Sequence, residues 1–153
     1  MWIAGADGEA WGVSVWFAVD SVDRFDADAE AMAGAAVEHG LPALERAALV
    51  TRLTADSHPR AFPHLYPHSI ATVPEYRGEG AGAALLAERV GTAAVPVYLE
   101  ASTERSARLY ERLGFVREGE RIALPDGGPV LVPMWRRSAA ARCDHGRPKT
   151  PRA

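Results

Sequence analysis

The segment "SIATVPEYRGEGAGAALL", residues 69–86, places β-branched strand residues just before a glycine-rich stretch and an apolar helical pattern. Pro74 ends the strand, because proline cannot donate a hydrogen bond to a sheet ladder. A glycine costs about 0.5–1 kcal/mol relative to alanine where a helix must form. The chain has three glycines there, Gly78, Gly80 and Gly82. The segment therefore predicts a turn in which a ligand approaches bare main chain.

Phosphate is the chemistry that such a turn favours. The first turn of a helix exposes unpaired N–H groups and the positive end of the helix dipole. Arg77 stands at the head of the glycines and can add a charge-assisted hydrogen bond. Residues 1–60 carry ten acids and four arginines, whereas residues 61–153 carry ten acids and thirteen basic residues. The glycines thus lie in the basic part of the chain, although a scatter of solvated surface charge explains the same counts.

The order of elements predicts an α/β fold with a mixed sheet. Two strands flank an Asp7-Gly8 turn, and two helical patterns follow, over residues 27–40 and from Pro42. The strand before Pro74, the helix after the glycines, a strand at residues 95–101 and a helix at residues 103–114 come next. The segments "FVREGERIAL" and "PVLVPMWRR" predict a closing hairpin. Hairpins combined with βαβ crossovers give the α/β class.

Two kinds of phosphate site fit the glycines. In the first, Gly78, Gly80 and Ala83 match the dinucleotide-binding pattern G-x-G-x-x-G/A, and Glu100 ends the next strand where a ribose-binding acid is expected. In that fold the strand runs straight into the first glycine, whereas residues 74–77 intervene here. The second site accounts for these four residues.

"IATVPEYRGEGAGAALL" followed by "VYLEASTERSARLYERLGFVREG" resembles the acetyl-CoA-binding core of the GNAT superfamily of N-acetyltransferases. The resemblance covers residues 64–135, and "PHLYPHSIATVPEYRG" with "YLEAS" is most similar to small-molecule enzymes of the puromycin-acetylating type. It implies a GNAT-like, mainly antiparallel sheet with a splayed central strand pair and flanking helices, over residues 1–137. Domains of this family usually open with a strand and two helices before the hairpin, so an N-terminally short domain is expected.

The resemblance also implies acetyl-CoA as cosubstrate. Amides of the loop would hold its pyrophosphate, the end of the strand would pair with the pantetheine arm, and two hydroxyls would stand where the family often has asparagine. The expected cofactor-binding residues are Thr72, Val73, Arg77, Gly78, Gly80, Ala81, Gly82, Thr103 and Ser106.

Two catalytic residues are expected for acetyl transfer to a primary amine. Tyr110 matches the tyrosine that protonates the departing thiolate, although it would equally pack on Phe115 as an ordinary helix residue. Glu100 is the candidate base, and its alternative is a buried strand-end carboxylate bonded to backbone amides. Direct attack without an acyl-enzyme is expected, because Cys143 is the single cysteine and lies in a segment without activating neighbours.

Other classes of function find little support. The net charge of −3 does not favour nucleic acid or membrane partners, and no apolar run is long enough to span a bilayer. His58, His64 and His68 could act as bases, although lone histidines are more often structural or exposed. They lack ligand-like spacing with any cysteine, so no metal is expected. A cytoplasmic location is the default, residues 138–153 are predicted to be a disordered basic tail, and the oligomeric state stays open, a homodimer included. A catalytically silent acyl-CoA-binding module and a dinucleotide-binding protein remain the alternatives to an enzyme acting on a small-molecule amine.

Overall fold

The fold opens with the predicted hairpin, formed by β1 (Trp2–Ala6) and β2 (Glu9–Val19). The structure is a computed structural model that describes residues 1–6 and 8–138. Gly8 has a φ of 82°, which suits glycine at a tight turn, while Asp7 lies outside the described residues. Strand β1 forms one edge of the sheet.

Two helices follow the hairpin, α1 (Asp23–His39) and α2 (Pro42–Ser57). Helix α1 begins four residues earlier than the sequence predicts, because Asp23 and Asp26 are favourable in a first turn, where carboxylates face the positive end of the helix dipole. It ends where expected, at Gly40, which has a left-handed φ of 58°. Pro42 occupies the first turn of α2, also as predicted.

The remaining elements alternate strands with helices up to the final hairpin. A single 3-10 turn, Pro74–Tyr76, lies between the third strand and the third helix. The elements are β3 (His64–Thr72), α3 (Ala81–Gly91), β4 (Val97–Ala101), α4 (Glu104–Arg112), β5 (Val116–Arg117), β6 (Ile122–Ala123) and β7 (Val130–Arg136).

The sheet has the order β1-β2-β3-β4-β7-β5, with β6 also paired to β7. Every pair is antiparallel except β3 and β4, which run parallel. Those two strands share one register pair, Leu65 with Val97, and separate beyond it. We call this point the fork. The predicted α/β class, the mainly antiparallel sheet and the splayed central pair are thereby confirmed.

The closing hairpin is less regular than predicted. The continuous strand expected over residues 115–124 is broken into β5 and β6, and each pairs separately with β7. Gly119 lies in the break with a φ of 119°, where its missing side chain leaves room for the ring of Pro133. A residue in that conformation cannot continue an extended strand, so the ladder is interrupted.

Helices cover both faces of the sheet because side chains alternate along its strands. On one face Leu86 and Ala107, from α3 and α4, pack with β-strand residues such as Leu99 and Met134. On the other face α1 and α2 pack over a buried aromatic cluster made of Phe25, Tyr66, Tyr98 and Trp135, together with Val19, Ala29 and Ala55.

The chain beyond β7 is described as far as Ser138, which is buried. The remainder of the predicted tail, residues 139–153, lies outside the described residues, as does Cys143. Among the described helices, none combines the length and apolar character needed to cross a membrane.

Candidate active site

An open cleft of about 680 Å³ lies between the end of β3, the first turn of α3 and one face of α4. Its position follows from the fork, because β4 leaves the edge of β3 uncovered beyond Leu65. The cleft contains almost all of the predicted cofactor residues. It is lined by Ile70, Ala71, Thr72, Tyr76, Arg77, Gly78, Gly80, Ala81, Gly82, Ala83, Thr103, Arg105, Ser106, Leu109 and Arg112.

The glycine loop has the backbone geometry that the sequence suggests. Gly78 and Gly80 have φ values of 97° and 86°, in the left-handed region that glycine adopts without strain. Gly80 caps the N-terminus of α3, and no side chain satisfies the amides of that first turn. Gly82 differs, because its φ is not positive and an added Cβ would lie 3.5 Å from Thr72 Oγ1. Gly78 and Gly80 therefore allow the backbone conformation of the turn, whereas Gly82 leaves space in the cleft beside Thr72.

Strand β3 presents one free edge to this cleft. Its other edge pairs with β2, with Thr72 opposite Gly12 and Ile70 opposite Ser14. The amide of Val73 donates to the carbonyl of Trp11 at 2.9 Å, so this predicted residue is used by β2 and is not among those that line the cleft. The free edge ends at Thr72, and an extended ligand could pair with it as an added strand.

Thr103 and Ser106 serve helix α4 directly. They form a capping box, in which Thr103 Oγ1 accepts from the Ser106 amide at 3.0 Å and Ser106 Oγ accepts from the Thr103 amide at 3.1 Å. Ser106 Oγ also donates to the Thr103 carbonyl at 2.8 Å. Both residues line the cleft as predicted, but their hydroxyls already have partners within the helix.

Glu100 lies on the opposite face of β4, beside the aromatic cluster. Its Oε2 accepts a hydrogen bond from the hydroxyl of Tyr66 at 2.9 Å, and Oε1 is shielded from solvent with no partner among the described residues. Burial raises the pKa of Glu100, against the opposing effect of the Tyr98 and Tyr66 hydroxyls. A carboxyl group with a raised pKa is closer to the basicity that proton transfer at neutral pH requires. The hydrogen bond from Tyr66 also joins β3 to β4 across the fork.

Tyr110 lies on α4 and packs against Phe115, with 6.0 Å between ring centroids. Burial raises the pKa of its phenol, so the group stays protonated at neutral pH. Its neighbour Leu109 lines the cleft, whereas Tyr110 does not and is packed against the core on the α3–α4 face. The packing role is thus present, and the proton-donor role stays a proposal.

The histidines occupy other places. His58 and His64 are buried, with 3.1 Å between their Nε2 atoms, and His64 Nδ1 donates to the Ala61 carbonyl at 2.9 Å. Burial lowers the pKa of His58 to about 3, with a further contribution from His64. His68 is exposed and packs on Phe17. Within the described part of the chain, no three His, Cys, Asp or Glu side chains are grouped to hold a metal ion.

The sequence reasoning missed three residues of the site, Tyr66, Arg105 and Arg112. Tyr66 requires the register of β3 against β4, which no local pattern provides. The two arginines follow from helical spacing: Arg105 lies next to Ser106, and Arg112 lies three positions after Leu109, on the face of α4 that lines the cleft.

Comparisons with known proteins identify the family. The chain matches the family described as "Acetyltransferase (GNAT) domain" over residues 36–117, which is more than half of its length. No curated protein sequence matches the chain.

Solved structures of acetyltransferases are similar to this fold. One from Corynebacterium glutamicum, described as a histone acetyltransferase HPA2 and related acetyltransferase, has 28% identity and a TM-score of 0.57 over 95% of this chain. A polyamine N-acetyltransferase of Drosophila melanogaster has 19% identity and a TM-score of 0.51 over 88% of this chain. An arylalkylamine N-acetyltransferase of Aedes aegypti has 13% identity and a TM-score of 0.61 over 87% of this chain. The chain spans 64%, 73% and 70% of these three proteins respectively.

Proposed function

Because this chain belongs to the GNAT family of acetyltransferases, we propose that it is an acetyl-CoA-dependent N-acetyltransferase that acts on a small primary amine. One observation carries the proposal. A single cleft combines free amides at a helix N-terminus, a free strand edge and three arginines, and no acidic residue lines it. These features match the pyrophosphate and the extended amide-containing arm of coenzyme A.

The residues that would hold acetyl-CoA follow from those contacts. Amides of the loop from Gly78 to Gly82, with Arg77, would bind the pyrophosphate. The edge of β3 at Thr72 would pair with the pantetheine arm. Val73 follows the end of β3, and its own amide is bonded to Trp11, so it would not pair with the arm through that amide. Thr103 and Ser106 would shape the wall on the α4 side. Ser106 Oγ already accepts from the Thr103 amide and from Thr103 Oγ1, whereas Thr103 Oγ1 accepts only from the Ser106 amide and keeps a lone pair that would accept from a pantetheine amide.

Acetyl-CoA supplies a thioester, and the protein supplies proton transfer and orientation. Glu100, hydrogen-bonded to Tyr66, would take the proton that the amine loses as it attacks. Tyr110 would give its phenolic proton to the departing thiolate. Glu100 and Tyr110 belong to the two opposite faces of the sheet, so the acid and the base would act on the reacting centre from different sides. No covalent enzyme intermediate is required.

Small amines are the natural first acceptors. The Drosophila protein is described as an enzyme that catalyses the formation of N-acetylagmatine, and the Aedes protein as an arylalkylamine N-acetyltransferase. Agmatine, a polyamine and an arylalkylamine therefore form the core of an acceptor panel.

A two-step experiment tests the function. Thermal denaturation is measured with acetyl-CoA, coenzyme A and NAD; a ligand at one hundred times its dissociation constant adds about 2.7 kcal/mol to the free energy of unfolding. We expect stabilisation by acetyl-CoA and by coenzyme A and none by NAD. Acetylation of the amine panel is then followed by release of free thiol. Stabilisation by NAD alone would identify a dinucleotide-binding protein. Binding of acetyl-CoA without turnover of any amine would identify a silent acyl-CoA-binding module.

A further inference from the structure

The cleft carries more positive charge than a pyrophosphate site needs. Three arginines line it, Arg77, Arg105 and Arg112, and no aspartate or glutamate does. The whole chain has a net charge of −3, so this local excess runs against the composition. Arg77 and the amides of α3 already account for one phosphate-binding position. The two arginines on α4 are additional to it.

Arg105 and Arg112 differ from the other arginines in and after α4. Arg108 lies 3.7 Å from Glu104, and Arg117 pairs with both Glu104 and Glu111. Neither Arg105 nor Arg112 forms an ion pair with any described residue, and both are exposed at the cleft. Arg112 Nη1 donates to the Arg108 carbonyl at 3.2 Å, which leaves most of its five donors for another group.

Their spacing places them on one helix face. Seven residues separate them, which is two turns of α4 or about 10.5 Å along its axis. Ser106 and Leu109, between them, also line the cleft. Guanidinium groups on long side chains can converge from such positions, and each offers paired donors that match the oxygens of a phosphate monoester.

We propose that Arg105 and Arg112 bind the ribose 3′-phosphate of coenzyme A and make the protein select coenzyme A over its 3′-dephospho form. The inference depends on the proposed function for the identity of the ligand. It rests on the unpaired guanidinium groups, their shared face and the absence of carboxylates from the cleft lining. The phosphate bound there is separate from the pyrophosphate at the α3 N-terminus.

Calorimetric titration of the full chain with coenzyme A and with 3′-dephospho-coenzyme A tests the proposal. At a fixed ionic strength, we expect wild type to bind coenzyme A about tenfold to a hundredfold more tightly, in line with one or two charge-assisted hydrogen bonds. Arg105→Gln combined with Arg112→Gln should bring that ratio close to one by weakening coenzyme A binding alone. Each single variant should have an affinity ratio between those of wild type and the double variant.

Arg108→Gln is the matched control. It removes the same charge from the same helix, but Arg108 pairs with Glu104 and does not line the cleft. Its ratio should equal that of wild type, which separates contact from long-range electrostatics. Equal affinity of wild type for the two ligands would overturn the proposal, and so would a loss in Arg108→Gln as large as in the double variant.

NADP, whose phosphate is on the ribose 2′ oxygen, is the third ligand. Binding of NADP by a protein that binds neither form of coenzyme A would overturn both the proposal and the proposed function. Tight binding of both forms of coenzyme A with equal affinity would overturn the arginine assignment alone. Unliganded melting temperatures of all variants verify that the substitutions leave the fold intact.

Discussion

The burial of Glu100 makes its carboxylate more basic but lowers the stability of the fold. Its carboxyl group is removed from solvent, which raises its pKa and costs stability once the group ionises. It keeps one hydrogen bond, from Tyr66, and leaves Oε1 without a partner among the described residues. The raised pKa supports the proposed role of Glu100 as a base, and experiment must separate that role from the alternative expected from sequence, a buried strand-end carboxylate.

The substitution Glu100→Gln separates the effect of Glu100 on stability from its effect on turnover. The folded pKa is raised, so the folded state binds its proton more tightly than the unfolded state, and stability falls as pH rises from the unfolded value of 4.5 through the folded value. Glutamine cannot ionise, so we expect the variant to melt at the same or a higher temperature at pH 8. Turnover should fall about 10²-fold, with the largest deficit at pH values below the pKa of the amine.

Melting curves at pH 5 and pH 8, together with a pH profile of turnover, measure both effects. Unchanged turnover with a lower melting temperature would make Glu100 a structural carboxylate.

Tyr110→Phe tests the acid. The ring and its packing on Phe115 are retained while the proton is lost, so stability should change little. We expect turnover to fall about 10²-fold and the dissociation constant of coenzyme A to remain within about twofold of wild type. Stopped-flow or steady-state kinetics combined with calorimetric binding measures the two quantities. Full activity in the phenylalanine variant would show that Tyr110 only packs.

At the scale of elements, the glycine loop determines whether α3 can accept a phosphate. Gly80→Val places a β-branched side chain at a φ of 86°, which is strained for an L-residue, and beyond the adjacent residues no atom lies within 4 Å of the new Cβ, so the strain at Cβ comes from the backbone conformation. Such a conformation costs about 1–2 kcal/mol for an L-residue. The loop should relax away from the ligand geometry, and stabilisation by coenzyme A should disappear while the far-ultraviolet circular dichroism spectrum is retained.

Gly91→Ala is the control for that variant. It lies at the last residue of the same helix, has no positive φ and also has open space around its Cβ. Its response to coenzyme A should match wild type. Undiminished stabilisation of Gly80→Val would exclude the loop from ligand binding.

The helices and strands could be predicted where the backbone preferences of single residues determine their ends. Gly40 and Pro42 end α1 and begin α2 as their backbone preferences require, and the order of strands and helices was correct. Gly119 was not recognised as a strand break, because a single glycine in a β-rich run is equally compatible with a continuous strand. Tyr66 was missed because its bond to Glu100 spans 34 residues and depends on strand register. The capping box of Thr103 and Ser106 was not predicted, because their hydroxyls were assigned to ligand contacts.

The whole molecule should be sensitive to acid through its aromatic cluster. The ring of His58 stacks on that of Phe25, with 3.9 Å between centroids, and lies against the ring of His64. Neither imidazole can therefore gain a proton without burying a charge. The pKa of His58 is lowered from 6.5 to about 3, so the stability that the neutral pair provides is fully present above pH 6.5 and is lost as pH falls towards 3. Around His58 the cluster is aromatic, with Tyr66 and Tyr98 edge-on to its ring.

We expect charging of His58 to lower the melting temperature as pH falls from 6.5 towards 4, with the raised pKa of Glu100 acting in the opposite direction. His58→Phe keeps an aromatic ring against Phe25 and should reduce that slope, whereas His39→Gln, at an exposed position in the last turn of α1, should leave it unchanged. Differential scanning calorimetry in a pH series measures the slope. An equal slope in wild type and His58→Phe would assign the acid sensitivity to other groups.

The fork divides the sheet into two ribbons that share one register pair, Leu65 with Val97. One ribbon contains β1, β2 and β3, and the other contains β4, β5, β6 and β7. A coenzyme arm lying along β3 would act as a missing strand on that edge, so the cosubstrate would become part of the scaffold while it is bound. Backbone amides of residues 66–72 that face the gap should then exchange with solvent deuterium more slowly when coenzyme A is present, whereas those facing β2 should not change. Binding of the coenzyme would thus extend the hydrogen-bonded sheet, and amide exchange along β3 would measure how much of the active site is occupied.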